Sequence, residues 1–281
     1  MLCEFKPEDV YNADESSLFY RALPNKTLAF KNSKCTSGKL SKERLSVLFC
    51  ASMMGQKEFP VVIGKAARPR AFKKTPIADL PVIWKSNKKA WMTREIMTEW
   101  LQQLDRKMGK EKRKIALVLD NAASHPREVE LENIKIIWLL PNTTSICQPL
   151  DQGIIRSFKF HYRSFIVKSI LSNIDGNLNN SKKVDILEAI FFVEAAWKKV
   201  TPETIKNCFR NAGFVQDDCH STEYDADDDI PLATLQHLNQ GCGPVCLEDY
   251  ICIDQNVHTE DTNIVVELEN PETESEEDES I

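Results

Sequence analysis

The last 71 residues of this 281-residue chain contain no lysine and no arginine. All 36 basic residues therefore lie in residues 1–210, which also hold 22 of the 42 acidic residues and so carry a formal charge of +14. Residues 211–281 hold the other 20 acidic residues and carry a formal charge of −20. The overall charge of −6 is therefore the sum of two parts of opposite sign. The basic part suits a polyanion, whereas the acidic part is typical of a solvated, disordered tail.

The chain also lacks long apolar runs and a regular cysteine pattern. No run approaches the ~18 apolar residues of a membrane-spanning helix, and the first residues contain no apolar signal segment. The nine cysteines are odd in number and irregular in spacing, which argues against a disulfide framework. We therefore expect an intracellular, soluble protein of one or two domains, with reduced cysteines and no membrane partner.

One apolar run ends directly in a carboxylate. Residues Ile115 to Leu119 are all aliphatic, as in a strand that is covered on both faces, and Asp120 follows. Open α/β sheets bind ligands beyond the carboxyl ends of their strands, which favours a site at Asp120 and Asn121. The alternative is that these two residues only turn the chain.

Two more aspartates stand at the ends of predicted elements. Asp14 follows a strand predicted from Val10, and Asp151 stands in or beside the first turn of a long helix that Pro149 precedes. Asp151 either belongs to a site or caps the helix and interacts with its dipole. Three carboxylates on rigid elements that can converge are what a protein needs to hold two Mg²⁺ ions against a phosphodiester. The apolar residues at helical spacing after Asp151 are Ile154, Ile155, Phe158, Tyr162, Phe165, Ile166 and Ile170.

Six short stretches carry a family resemblance that covers about residues 10–215. Together they resemble the DDE-type transposase core of the Tigger and pogo group, to which jerky and centromere-protein-B-like proteins are related. The resemblance implies an α/β, ribonuclease-H-like fold, with a mixed sheet flanked by helices, and metal-dependent DNA strand transfer. The stretches are residues 12–15, 38–45, 62–65, 90–93, 120–125 and 148–153.

The order of the predicted elements agrees with that fold. Three strands come first, then a helix capped by Thr93, a strand ending at Asp120, a further strand and the Asp151 helix, and Thr201 caps the last of two more helices. We expect a catalytic core at residues 1–173, a helical extension of it at 174–216, and an acidic, largely disordered tail at 217–281. The strands are predicted at 10–13, 45–53, 59–63, 115–119 and 134–140, and the last two helices at 184–199 and 203–211.

The resemblance also assigns the metal ligands. The family's acidic triad falls on Asp14, Asp120 and Asp151, and 30 residues separate the last two. Two Mg²⁺ or Mn²⁺ ions are the implied cofactors of an active protein.

Candidate DNA contacts lie close to these acids. Arg156, Lys159 and Arg163 are three and four residues apart, so they share one helix face that either grips the DNA backbone or is merely solvated. His125 resembles a family position, and it either contacts a phosphate or packs and caps beside Pro126.

Two functions remain open from the sequence. The first is a DDE-type endonuclease and strand-transferase core that acts on DNA by a two-metal mechanism. The second is a domesticated, catalytically silent nuclear DNA- or chromatin-binding protein, because nothing in the chain resembles the helix-turn-helix domains that precede this core in the group. Both imply nuclear localisation and DNA binding mainly through phosphates, and neither fixes an oligomeric state. The acidic tail restrains the basic body by competing with phosphates, recruits a basic chromatin protein, or only adds solubility.

Overall fold

A six-stranded mixed sheet forms the centre of the protein. The computed structural model describes residues 4–22, 43–141, 143–175, 184–214 and 250–254, together with residues 257 and 259. The strand order is β4-β3-β2-β1-β5-β6, in which β1 to β3 are antiparallel neighbours and β5 and β6 run parallel to β1. This arrangement confirms the predicted ribonuclease-H-like fold. The strands are β1 (Val10–Phe19), β2 (Arg44–Ser52), β3 (Val61–Gly64), β4 (Ile83–Ser86), β5 (Ile115–Leu119) and β6 (Ile134–Trp138).

Helices cover both faces of this sheet. Side chains of β2 alternate between them: Phe49 packs into a cluster with α3, α4 and α5, and its neighbours Leu48 and Cys50 pack into a second cluster with α1. All five residues of β5 are buried, as the aliphatic run predicts for a strand covered on both sides. The helices are α1 (Arg94–Lys110), α2 (Thr144–Cys147), α3 (Ile155–Asp175), α4 (Ile186–Lys199) and α5 (Pro202–Asn211).

Two predicted helix caps are present. The Thr93 side chain accepts the N–H of Ile96 at 3.4 Å, and that of Thr201 accepts the N–H of Thr204 at 3.1 Å. Each hydroxyl thereby satisfies a backbone donor that has no partner inside its helix.

Several boundaries differ from the prediction. β1 continues to Phe19 because its second half pairs with Arg44–Leu48 of β2, so Asp14 lies inside the strand rather than after it. The edge strand β4, parallel to β3, was not predicted. Asp151 lies in a separate π-helical turn, Leu150–Ile154, that precedes α3 and contains Gly153 at φ 136°. No helix of the described residues is long and apolar enough to cross a membrane.

Five residues of the predicted disordered tail are packed against the domain. Tyr250, Ile251 and Asp254 are buried, so this part of the tail is not the solvated segment that its acidic composition predicts. Residues 217–249 of the tail, and all residues after 254 except 257 and 259, lie outside the described residues.

Candidate metal-binding active site

Asp14 and Asp120 lie at the same level on neighbouring strands. Asn12 of β1 is the register partner of Val118 in the parallel strand β5, and each aspartate follows its own member of that pair by two residues. Because side chains alternate along a strand, both carboxylates leave the sheet on the face that α3 covers. Asp120 comes directly after β5, so this acid stands at the carboxyl end of its strand, as predicted.

The π-helical turn adds Asp151 to this pair. Asp151 lies close enough to Asp14 for its charge to act on that carboxylate, and the charge of Asp120 acts on both. The structure thus brings together the three aspartates that the sequence singled out, although 136 residues separate the first from the last.

A buried amide connects the three elements that carry these acids. Asn12, with an exposed fraction of 0%, donates from Nδ2 to the carbonyl of Val118 at 3.0 Å and accepts the N–H of Leu150 at Oδ1 at 2.9 Å. Val118 lies two residues before Asp120, and Leu150 lies one residue before Asp151. Asn12 itself lies two residues before Asp14. The sequence prediction assigned Asn12 no role, although a buried asparagine between the apolar residues Tyr11 and Ala13 signals a required hydrogen-bond partner.

The three carboxylates differ in charge state. Burial, followed by repulsion from Asp151, Glu15 and Asp120, raises the pKa of Asp14 well above its ordinary value. The pKa of Asp151 is also raised, by partial burial of its carboxylate and by the charge of Asp120, even though the residue as a whole is exposed. Asp14 and Asp151 are therefore protonated more readily than isolated carboxylates are.

Asp120 behaves in the opposite way. Burial raises its pKa, but hydrogen bonds from His125 and from the N–H of Ala122, the latter at 3.1 Å, outweigh burial and lower the pKa below its ordinary value. Asp120 is consequently the acid of the three that is held ionised.

His125 is an interior cation of this site. Its Nδ1 lies 3.0 Å from Oδ1 of Asp120 and its Nε2 lies 3.2 Å from Oε1 of Glu15. Burial lowers the pKa of His125, yet the charges and hydrogen bonds of Glu15 and Asp120 raise it to about 11. Since the side chain is buried and both ring nitrogens have carboxylate partners, this arrangement favours the packing role over a phosphate contact.

The predicted basic face of α3 is not a solvated one. Lys159 and Arg163 are 4% and 1% exposed, and both pair with the buried carboxylate of Asp254. Arg156 is partly buried. Helical spacing placed Lys159 and Arg163 on one face, and a segment distant in sequence covers that face in this structure, so their contact with DNA stays a prediction.

The donor set fits a hard divalent cation. Three carboxylates from three elements would supply oxygen ligands of the kind that Mg²⁺ and Mn²⁺ prefer, and the positive charge of such an ion would offset the repulsion among these carboxylates. In the described ranges no group of three or more His, Cys, Asp or Glu side chains is arranged so that it could hold a metal ion, and this includes the three aspartates as they stand. Because the pKa values of Asp14 and Asp151 are raised, a metal ion at this site would compete with protons for these two carboxylates.

Comparisons with known proteins place these residues in a family context. A family model described as "DDE superfamily endonuclease" matches residues 42–209. The chain is 32% identical over 264 residues to Tigger transposable element-derived protein 4 of Mus musculus, with 92% of this chain and 50% of that protein covered. It is 31% identical over 212 residues to the major centromere autoantigen B of Homo sapiens, with 75% of this chain and 34% of that protein covered. These matches confirm the resemblance seen in the sequence, and the chain spans half or less of either relative.

A solved structure is also similar. The Mos1 mariner paired-end complex with Mn has 14% sequence identity to this chain and a TM-score of 0.38, with 77% of this chain and 59% of that chain covered.

Proposed function

Because this chain belongs to the DDE superfamily endonuclease family, we propose that it is a transposase-derived core that cuts and joins DNA phosphodiesters. Asp14, Asp120 and Asp151 would hold two Mg²⁺ or Mn²⁺ ions. When bound, these ions would stabilise the negative charge that builds on the attacking and leaving oxygens of the phosphodiester.

The observation that carries this proposal is the convergence of three aspartates from three separate elements. A chain that needed Asp120 only to turn, or Asp151 only to cap a helix, gains nothing from placing both carboxylates against a buried Asp14. Mutual repulsion of this kind is unfavourable for folding, and such clusters occur where a bound cation or a reaction requires them.

The surrounding residues prepare the acids for this role. His125 keeps Asp120 ionised and fixes its orientation through Nδ1, while Glu15 holds the other side of the imidazole ring. Asn12 fixes the relative position of β1, β5 and the Asp151 turn. The chain's own contribution is thus to place three oxygen donors and to keep at least one of them charged.

Duplex DNA is the proposed partner. The +14 charge of residues 1–210 suits contacts to phosphates, which favours weak binding without sequence preference and with strong salt dependence. Nuclear localisation follows from this substrate, and a basic chromatin protein is a proposed partner for the acidic residues after 210.

Calorimetric titration with Mn²⁺, paired with a plasmid-nicking assay, tests the proposal. We expect the full chain to bind the metal and to nick supercoiled plasmid, and Asp120→Asn to lose both properties. Asp79→Asn is the matched control, because it removes one carboxylate from an exposed turn and should change neither. Unaltered metal affinity in Asp120→Asn would contradict the assignment of the site.

Two observations favour a second function, that of a catalytically silent DNA- or chromatin-binding protein. No group of three or more His, Cys, Asp or Glu side chains among the described residues is arranged so that it could hold a metal ion, and one relative is named a centromere autoantigen. DNA binding by the full chain without any measurable affinity for Mn²⁺ would select this function.

A further inference from the structure

The five residues Tyr250–Asp254, here called the Tyr250 segment, return from the acidic part of the chain to the catalytic domain. The hydroxyl of Tyr250 donates to the carbonyl of Ala22 at 2.9 Å, and its ring lies 5.3 Å from the guanidinium carbon of Arg163. The hydroxyl of Ser17 donates to the carbonyl of Asp254 at 2.6 Å. The segment therefore connects the second half of β1 with α3.

Asp254 is the centre of this contact. Its carboxylate is 0% exposed, and three positive or donor groups surround it. Lys159 Nζ lies 2.6 Å from Oδ1, Arg163 Nη2 donates to Oδ2 at 2.6 Å, and the N–H of Phe19 donates to the same Oδ2 at 2.8 Å. We call these three groups the Lys159 pocket.

The Lys159 pocket has the composition of an oxyanion site. Two cations and one backbone N–H converge on a single anionic group, which is the arrangement that proteins use for carboxylates and phosphates alike. Nε of Arg163 has no hydrogen-bond partner among the described residues, although the side chain is 1% exposed. Oδ1 of Asp254 likewise has no hydrogen-bond partner among the described residues and meets Lys159 only as an ion pair. Asp254 therefore leaves the Nε donor of Arg163 unused, and a phosphate has additional oxygens that can accept it.

The pocket borders the proposed active site. Lys159 follows Asp151 by eight residues, a distance of about 12 Å along a helix. Its charge acts on the Asp151 carboxylate and opposes the increase in the pKa of that group. At ~3.4 Å of rise per nucleotide, a strand whose phosphodiester lies at the three aspartates would reach the pocket three or four nucleotides away.

We propose that the Lys159 pocket binds a backbone phosphate of DNA and that Asp254 occupies it as an intramolecular phosphate mimic when DNA is absent. The ligand class is an oxyanion, and the inference rests on the proposed function for the identity of that oxyanion as DNA. Both buried cations are paired before and after the carboxylate is exchanged for a phosphate, so neither end state leaves an uncompensated charge. Because the Tyr250 segment is tethered to the domain, it competes at a high effective concentration.

The alternative role is a permanent clasp between β1 and α3 that never exchanges. The two roles differ in what happens when the carboxylate is neutralised. If Asp254 is a phosphate mimic, neutralising its carboxylate frees Lys159 and Arg163 to bind DNA. If Asp254 is a permanent clasp, the same change only lowers the stability of the domain.

The first experiment uses the full chain and its Asp254→Asn variant, with Asp249→Asn as a control that removes the same charge from a nearby tail position. Affinity for a short duplex is measured over a range of salt concentrations. For Asp254→Asn we expect about tenfold tighter binding at low salt, with a log–log salt slope steeper by roughly 1.8, since each freed cation adds about 0.9. Adding Lys159→Gln to Asp254→Asn should reverse about half of that change in slope. A slope and affinity equal to those of Asp249→Asn would overturn the proposal.

The second experiment needs no variant and therefore stands even if Asp254→Asn folds poorly. Amide hydrogen exchange of the wild-type chain is followed with and without duplex DNA. We expect the N–H of Phe19, which donates to Asp254, and the amides of the Tyr250 segment to lose protection when DNA binds. Full protection of both in the DNA complex would overturn the proposal.

These outcomes separate the pocket from the proposed active site. If neither the wild type nor Asp254→Asn binds duplex at low salt, the phosphate exchange is overturned, while the three-aspartate site is still judged by its Mn²⁺ titration. If Mn²⁺ binding is absent but Asp254→Asn gains DNA affinity, the pocket stands and the nuclease assignment falls.

Discussion

Replacement of Asn12 by leucine tests whether one buried amide holds the three aspartates in register. Leucine has a similar volume but makes no hydrogen bonds, so the N–H of Leu150 and the carbonyl of Val118 both lose the partners that they have at 2.9 and 3.0 Å. An orphaned buried backbone group costs about 1–3 kcal/mol. We expect Asn12→Leu to lower the free energy of unfolding by about 2–6 kcal/mol, the sum for the two groups, as measured by urea denaturation.

The informative quantity is metal affinity, because any core substitution can lower stability. Loss of a residue that orients ligands typically weakens metal binding about 10–100-fold, and we expect a loss of that size for Mn²⁺ by calorimetry. Asn87→Leu is the matched control: the Asn87 side chain also bridges backbone groups, donating to the carbonyl of Trp91 and accepting its N–H, but it has no link to the aspartates. If Asn12→Leu binds Mn²⁺ as tightly as Asn87→Leu does, the proposed role of Asn12 is refuted.

Three further predictions concern the same site. The pKa of His125 is raised from 6.5 to about 11, so its stabilising contribution is complete below pH 6.5 and is lost as the pH rises toward 11. The difference in unfolding free energy between the wild type and His125→Gln should therefore shrink from about pH 6 to about pH 9. A difference that stays constant over this range would contradict the ion pairs. Since the pKa values of Asp14 and Asp151 are raised, Mn²⁺ binding should release about one proton and should tighten with rising pH. Calorimetry in two buffers of different ionisation enthalpy measures the number of protons released. Mn²⁺ binding to Asp14→Asn should release none. Gly153 has φ 136°, so Gly153→Ala should cost about 1–3 kcal/mol and weaken Mn²⁺ binding by displacing Asp151, whereas Gly109→Ala in α1 should leave Mn²⁺ binding unchanged.

Sequence patterns predicted correctly those features that depend on a single strand or helix. The aliphatic run of β5, the hydroxyl caps at Thr93 and Thr201, and the position of Asp120 after its strand all depend on a few neighbouring residues. The family motifs extended this to Asp14 and Asp151, whose proximity no local pattern reveals.

Long-range contacts were the part that sequence reasoning could not supply. Helical spacing placed Lys159 and Arg163 on one face, but it contains no information about a covering segment 91 residues further along the chain. The Tyr250 segment itself lies in a stretch whose acidic composition and absence of lysine and arginine predict disorder. Asn12 lies within the family stretch 12–15, yet its role depends on Val118 and Leu150, which lie 106 and 138 residues away.

The contact of the Tyr250 segment with β1 has a consequence for the synthesis of this protein. The hydrogen bond between Ser17 and Asp254 spans 237 residues, so it forms only after residue 254 has been translated. At about 5–20 residues per second, the ribosome needs about 2–8 s to extend the chain from residue 214, where every strand and α-helix of the described domain is complete, to residue 254. During that interval Lys159 and Arg163 have no Asp254 carboxylate to neutralise them, and other oxyanions near the nascent chain, including those of RNA, have access to the pocket.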